Sequence, residues 1–178
     1  MVALAAIGAM WWVAFDQLER IPLLEWVNLA IHQGGHMATY SASDVQNAMA
    51  GPIAQVAVPL LIAMYFLFRR GDWIAAGVCL VWAAASAAEV SLFVADAPTQ
   101  KLDLLGDDKN DWALILGPDG YGALDKSEWL AHKIRDYASV AAVLGALLCL
   151  AAPLRTQRRR PHPESMTSTR RATATSRY

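Results

Sequence analysis

Three long segments with almost no charge constrain the fold of this chain more than any other feature. Residues 48–68 and 137–154 contain no charged side chain, and residues 73–94 contain only Glu89. A helix needs about 20 apolar residues to cross the hydrocarbon core of a bilayer, and each segment approaches or exceeds that length. The sequence therefore predicts three transmembrane helices.

The charged residues are concentrated between and after these segments. Hydrophobic residues make up 56% of the chain and charged residues 17%, yet residues 96–136 alone carry nine acids and five bases. Soluble proteins distribute charge along amphipathic faces, so this separation indicates an integral membrane protein that contacts lipid.

Two basic clusters predict its orientation. Arg69 and Arg70 lie between the first two uncharged segments, and an Arg-rich tail, residues 155–178, follows the last one. Basic clusters mark the cytoplasmic side, which places the C-terminus in the cytoplasm and residues 95–136 in an outer loop. The tail is expected to be disordered, and it lacks the interleaved aromatic residues of a nucleic-acid-binding segment.

Two earlier segments are less clear. Residues 2–15 are apolar but short, and they are interpreted as a first span, with a signal-peptide core as the alternative. Residues 21–40 are long enough to cross but contain several polar side chains. The predicted fold is an all-α polytopic membrane helix bundle of four to five spans, residues 1–154, with the outer loop and the tail.

Two histidines in the second segment form the one pattern typical of a chemical site. His32 and His36 are four residues apart, and Asn28 precedes them by another four, so the three share one helix face. Two imidazoles at this spacing can bind one metal ion, as in zinc-protease helices. The alternative is that both rings simply hydrogen-bond to neighbouring helices.

The segment His32-Gln33-Gly34-Gly35-His36 resembles the His-Glu-x-Gly-His helix of site-2-protease-type intramembrane zinc metallopeptidases. Gly51-Pro52, in the next segment, is similar to the Ala-Gly-Pro element of that family. A closer resemblance, from about residue 25 to 135 of this chain, is to an uncharacterised group of bacterial membrane proteins. That group has the same His-Glu-x-Gly-His helix, followed by a Gln-x-x-x-Pro element, which is Gln55 to Pro59 here.

The resemblance implies a zinc cofactor held by His32 and His36, with an aspartate as third ligand, and a bacterial inner-membrane location. Asp96 and Asp111 are the candidates for that aspartate by position. The family's general base is the Glu that follows the first His, and Gln33 stands in its place. A glutamine cannot accept a proton as that Glu does, so the implied peptidase activity is weakened or lost.

Glu89 is a further candidate for a ligand or base, because it lies inside a predicted span and can face the histidine helix. Three functions are compatible with these residues. The first is a metallopeptidase-like protein with a membrane-protein substrate. The second is a non-catalytic scaffold that binds a partner membrane protein, and the third is a carrier of metal or small solutes.

Overall fold

The structure is a computed structural model that describes residues 24–102 and 110–158, together with Gly8. All regular elements within these ranges are helical, and no strand occurs among them. The predicted span at residues 2–15 and most of the basic tail lie outside the described residues. The all-α fold class is confirmed for the part of the chain that the structure covers.

The described elements form five α-helices and two shorter helical turns. A π-helical turn, Tyr65–Arg70, continues α2, and a 3₁₀ turn, Leu124–Lys126, precedes α5. The α-helices in chain order are α1 Leu24–Ala38, α2 Asp44–Met64, α3 Trp73–Asp96, α4 Asp111–Leu116 and α5 Ser127–Arg158.

Three helical segments are long and apolar enough to cross a membrane, judged by length and composition. These segments are Asp44–Arg70, Trp73–Asp96 and Leu124–Pro153, and they contain the three uncharged segments of the sequence. Helix α1 has 15 residues, which corresponds to about 22 Å of helix, shorter than the ~30 Å hydrocarbon core. The expectation of four to five spans stays a prediction.

A tight connection turns α2 back against α3. Gly71 ends the π-helical turn with a φ of 64°, in the left-handed region where glycine carries no steric penalty. Asp72 then begins α3, and its carboxylate accepts a hydrogen bond from the backbone N–H of Ala75 at 3.0 Å. The two helices therefore pack against each other as an antiparallel pair.

Helix α3 lies at the centre of the bundle, with α2 packed on one side and α5 on the other. Its contact with α5 depends on two facing glycines. A Cβ atom added at Gly145 would lie 2.7 Å from the Gly77 carbonyl oxygen and 2.8 Å from Val81 Cγ2. Small residues of this kind let helix backbones approach closely where the hydrophobic effect does not drive association.

An apolar cluster anchors the short helix α4 on the bundle. Ile115 and Leu116 of α4 are buried against Val90 and Val94 of α3, and Ala48 of α2 lies in the same cluster. Since α4 has only six residues, its position depends on this packing rather than on its own helix propensity. The packing fixes where the first residue of α4, Asp111, can reach.

Replacing Gly145 by alanine is expected to destabilise the α3–α5 contact by about 1–3 kcal/mol, because the added methyl overlaps the opposing backbone. Unfolding in mixed detergent micelles measures this change. The matched control is Leu144→Ala, which alters an exposed side chain one residue away. Equal stability of Gly145→Ala and the unsubstituted protein would contradict the close packing described.

Candidate metal centre

Two histidines and one aspartate converge where α1, α2 and α4 meet. His32 Nε2 lies 3.0 Å from Asp111 Oδ2, and His36 Nε2 lies 3.3 Å from the same oxygen. The two Nε2 atoms lie 3.0 Å apart. The three side chains are partly buried, with 15–21% of each exposed. They are a group that can hold a metal ion.

A hydrogen bond to the backbone of α2 determines which ring nitrogen of His36 carries the proton. Its Nδ1 lies 2.8 Å from the backbone carbonyl oxygen of Asn47, which can only accept a hydrogen bond. Nδ1 of His36 therefore carries a proton, and Nε2 of the neutral ring presents a lone pair. Asn47 also donates from Nδ2 to the His36 carbonyl at 2.8 Å and to Thr39 Oγ1 at 3.1 Å, which holds the α1–α2 turn.

His32 has a comparable partner on α2. Its Nδ1 lies 3.2 Å from Oε1 of the buried side chain of Gln55. The Nε2 atom of Gln55 donates to Glu89 at 2.8 Å, so the amide oxygen is the atom that faces the ring. The Nδ1 proton of His32 is thus donated to Gln55, and its Nε2 also presents a lone pair.

Three electron-pair donors therefore face one another across 3.0–3.3 Å, and no proton lies between them when both rings are neutral. Such an arrangement requires a cation, either a proton on a ring or a metal ion. The ligands of a four-coordinate zinc, at about 2.0–2.1 Å from it, lie about 3.3 Å from one another. A single ion satisfies all three atoms at once, so the donor set fits a zinc ion.

Glycine at position 51 leaves space for the two imidazole rings. A Cβ atom added at Gly51 would lie 2.7 Å from His32 Nε2 and closer still to His36 Nε2. Gly35 of α1 is similarly close to the backbone of Ala50, whereas a Cβ at Gly34 would meet nothing within 4 Å. One glycine of the Gly34-Gly35 pair therefore permits the close helix approach, and Gly51 leaves room for the two rings.

Asp111 owes its place to the residue before it. Asn110 is the N-cap of α4, where its Oδ1 accepts a hydrogen bond from the Trp112 backbone N–H at 3.0 Å. Its Nδ2 donates to the Phe93 carbonyl at 3.0 Å, which ties the start of α4 to the end of α3. This buried asparagine thus holds Asp111 over the histidines.

The second candidate aspartate has a different environment. Asp96 closes the turn after α3, where its carboxylate accepts hydrogen bonds from Thr99 Oγ1 at 2.6 Å, Lys101 N at 2.9 Å and Leu102 N at 3.0 Å. It is not part of the group formed by His32, His36 and Asp111. Of the two aspartates proposed from the sequence, the structure brings Asp111 to the histidines.

Glu89 does face the histidine helix, as expected, and two side-chain amides donate hydrogen bonds to it. Its Oε2 accepts from Asn28 Nδ2 and from Gln55 Nε2, each at 2.8 Å. Asn28 is also bonded through Oδ1 to Trp82 Nε1 and Ser86 Oγ. Trp82 and Ser86 were not predicted from the sequence, although their four-residue spacing places them on one face of α3 with Glu89.

Comparison of this chain with family models, with curated protein sequences and with solved structures finds no match. The interpretation of the site therefore rests on its own geometry.

We expect Asp111→Asn to lose bound zinc, since an uncharged amide is a poor ligand, while Asp96→Asn keeps it. Metal analysis of the two purified variants after equilibration with zinc measures the difference. The opposite pattern would place the third ligand at the end of α3 and would refute the assignment of Asp111.

A second comparison uses the glycines. Gly51→Ala is expected to bind zinc more weakly, because the new methyl group pushes both imidazole rings away from α2. Gly34→Ala is the matched control, since its methyl meets open space. Competition between the protein and a chelator gives both affinities, and equal affinities would show that the rings do not depend on Gly51.

Proposed function

We propose that this protein is a membrane-embedded zinc protein of the intramembrane metallopeptidase type, with weakened or absent catalysis. His32, His36 and Asp111 are the proposed ligands. The observation that carries the proposal is the convergence of two imidazole nitrogens and one carboxylate oxygen within 3.0–3.3 Å. This convergence agrees with the ligand set that the resemblance of the histidine helix implies.

The ligand set favours a reactive rather than a purely structural metal. Structural zinc sites are closed by four protein ligands, whereas catalytic sites have three and leave one position for water or substrate. Zinc in such a site acts as a Lewis acid towards a water molecule or a carbonyl group. Among the described residues, the group that can hold a metal supplies three ligands, which is the ligand number of the open class.

Gln33 is the reason to expect little or no peptidase activity. It follows His32 on α1, at the position where a general base would take a proton. Its amide can donate or accept a hydrogen bond but cannot be protonated at ordinary pH. The same residue favours the second candidate function, a non-catalytic scaffold that binds a membrane protein.

The membrane location is supported by the three long apolar helices. Gly51 lies seven residues from the start of α2 and nineteen from Arg70, which corresponds to about 10 Å and about 28 Å of helix. With Arg69 and Arg70 on the cytoplasmic side, the site lies in the outer half of the bilayer. We propose a bacterial inner membrane with a cytoplasmic C-terminus.

The first experiment measures the metal. The purified protein is expected to retain about one zinc per chain after desalting, while His32→Ala and His36→Ala retain none, since two remaining ligands hold zinc weakly. His132→Ala is the matched control, because that histidine is 68% exposed on α5 and pairs with Glu128. If the wild-type protein binds no zinc even in excess zinc, the proposal is rejected in favour of a His–Asp ion pair.

The second experiment tests latent catalysis. Gln33→Glu restores a group that can accept a proton, and it is expected to raise zinc-dependent cleavage of a single-span membrane reporter by about 10²-fold or more. The control is Gln46→Glu, the same substitution at an exposed residue in the first turn of α2. If the zinc-loaded Gln33→Glu variant cleaves no reporter, the peptidase is rejected and the non-catalytic scaffold becomes the favoured function.

A further inference from the structure

Behind the proposed metal ligands lies a second layer of polar groups that the zinc site itself does not use. Glu89 of α3 accepts hydrogen bonds from Gln55 of α2 and from Asn28 of α1, each at 2.8 Å. Gln55 in turn accepts from His32 at 3.2 Å. A continuous path of hydrogen bonds therefore joins a carboxylate on one helix to a histidine on another.

The direction of the hydrogen bonds along this path follows from groups that can act only as donors or only as acceptors. The indole Nε1 of Trp82 can only donate, and it lies 2.9 Å from Asn28 Oδ1. Ser86 Oγ donates to the same oxygen at 3.2 Å, so the Nδ2 of Asn28 is the atom turned towards Glu89. Asn28 thereby holds the carboxylate in place from the α1 side.

The Glu89 oxygen Oε2 accepts hydrogen bonds from both neighbouring amides, which fixes the orientation of the Gln55 side chain. Gln55 must present Nε2 to Glu89, so its Oε1 faces His32. An amide held in this orientation requires a proton on His32 Nδ1 and leaves the Nε2 lone pair directed at Asp111. Were Gln55 free to rotate, it could donate to Nδ1 and favour the opposite tautomer.

We propose that Glu89 is a positioning residue, which sets the tautomer and orientation of His32 through the Gln55 amide. Metal-bound histidines commonly donate their second ring N–H to a carboxylate directly. Here Gln55 of α2 separates the two, so the carboxyl group on α3 acts on His32 through that amide. This inference rests on the proposed zinc site only in its effect on affinity, because the hydrogen-bonded path itself belongs to the chain.

The placement of these groups agrees with this role. Asn28 is 4% exposed, Gln55 6% and Ser86 fully buried. Polar and ionisable side chains at such positions in an apolar helix are costly unless they satisfy one another. Glu89 accepts hydrogen bonds from Asn28 and Gln55, and the path ends at His32, whose ring must be in the Nδ1–H tautomer to bind the metal.

A double-mutant cycle on metal affinity tests the path. Competition with a chelator is expected to show zinc bound about 10–100-fold more weakly by Glu89→Gln and by Gln55→Leu, with full stoichiometry at saturation. The double variant should be no weaker than Gln55→Leu alone, since Glu89 acts through that amide. Glu128→Gln, an exposed carboxylate on α5, is the matched control.

Two results would overturn the inference. One is unchanged zinc affinity in Glu89→Gln. The other is a double variant in which the two losses of affinity multiply, because each residue would then contribute independently of the other. If a variant does not fold, Glu89→Asp provides the second test, because a shorter carboxylate retains the charge and is expected to keep part of the affinity.

Nitrogen NMR of the metal-free protein separates this inference from the zinc proposal. With ¹⁵N-labelled histidine at alkaline pH, Nδ1 of His32 is expected to be protonated in the wild type and to lose that preference in Glu89→Gln and Gln55→Leu. The His32→Ala spectrum assigns the signal. A wild type that binds no zinc would reject the metal site, while the His32 signal would still decide the role of Glu89.

Discussion

The structure of the site depends on two imidazole rings, each of which donates a hydrogen bond from Nδ1 to an acceptor held in place by α2. The Asn47 carbonyl receives the proton of His36, and Gln55 Oε1 receives that of His32. Both Nε2 lone pairs then meet the Asp111 carboxylate, and the three atoms repel unless a cation lies among them. A proton on one ring or a metal ion meets this requirement, and the donor set suits zinc because zinc binds neutral imidazole and ionised carboxylate.

Close approach of the helix backbones allows the two histidines and Asp111 to come together. Gly35 lets α1 approach Ala50 of α2, and Gly51 leaves α2 without a side chain where the rings lie. The α3–α5 contact uses the same device at Gly77 and Gly145. Three of these helices are long and apolar enough to cross a bilayer, where burial of apolar surface contributes little and helix association depends on close backbone packing and hydrogen bonds between helices.

The polar groups occupy two layers that depend on each other. The side chains of His32, His36 and Asp111 are 15–21% exposed, so this layer is partly accessible to solvent. The layer behind it connects three helices through hydrogen bonds among Asn28 of α1, Gln55 of α2 and Glu89 of α3. Since partly satisfied buried networks are costly, each layer limits the conformations open to the other.

The sequence by itself determined the three long apolar helices and the placement of two histidines on one helix face. Runs of uncharged residues predict α2, α3 and α5 because a helix satisfies its own backbone hydrogen bonds whatever surrounds it. The four-residue spacing of His32 and His36 places both rings on one face for the same local reason. The length of α1, which ends at Ala38, was not predictable from its apolar content.

Only the tertiary structure decided which distant groups reach that face. Asp96 and Asp111 are equally plausible by position, yet the Asn110 cap and the packing of Ile115 bring Asp111 to the histidines, while Asp96 closes its own turn. Glu89 was expected near the histidine helix, but the Gln55 amide that separates it from His32 comes from a third helix. Contacts between helices depend on how side chains of separate segments pack, and no local periodicity encodes that.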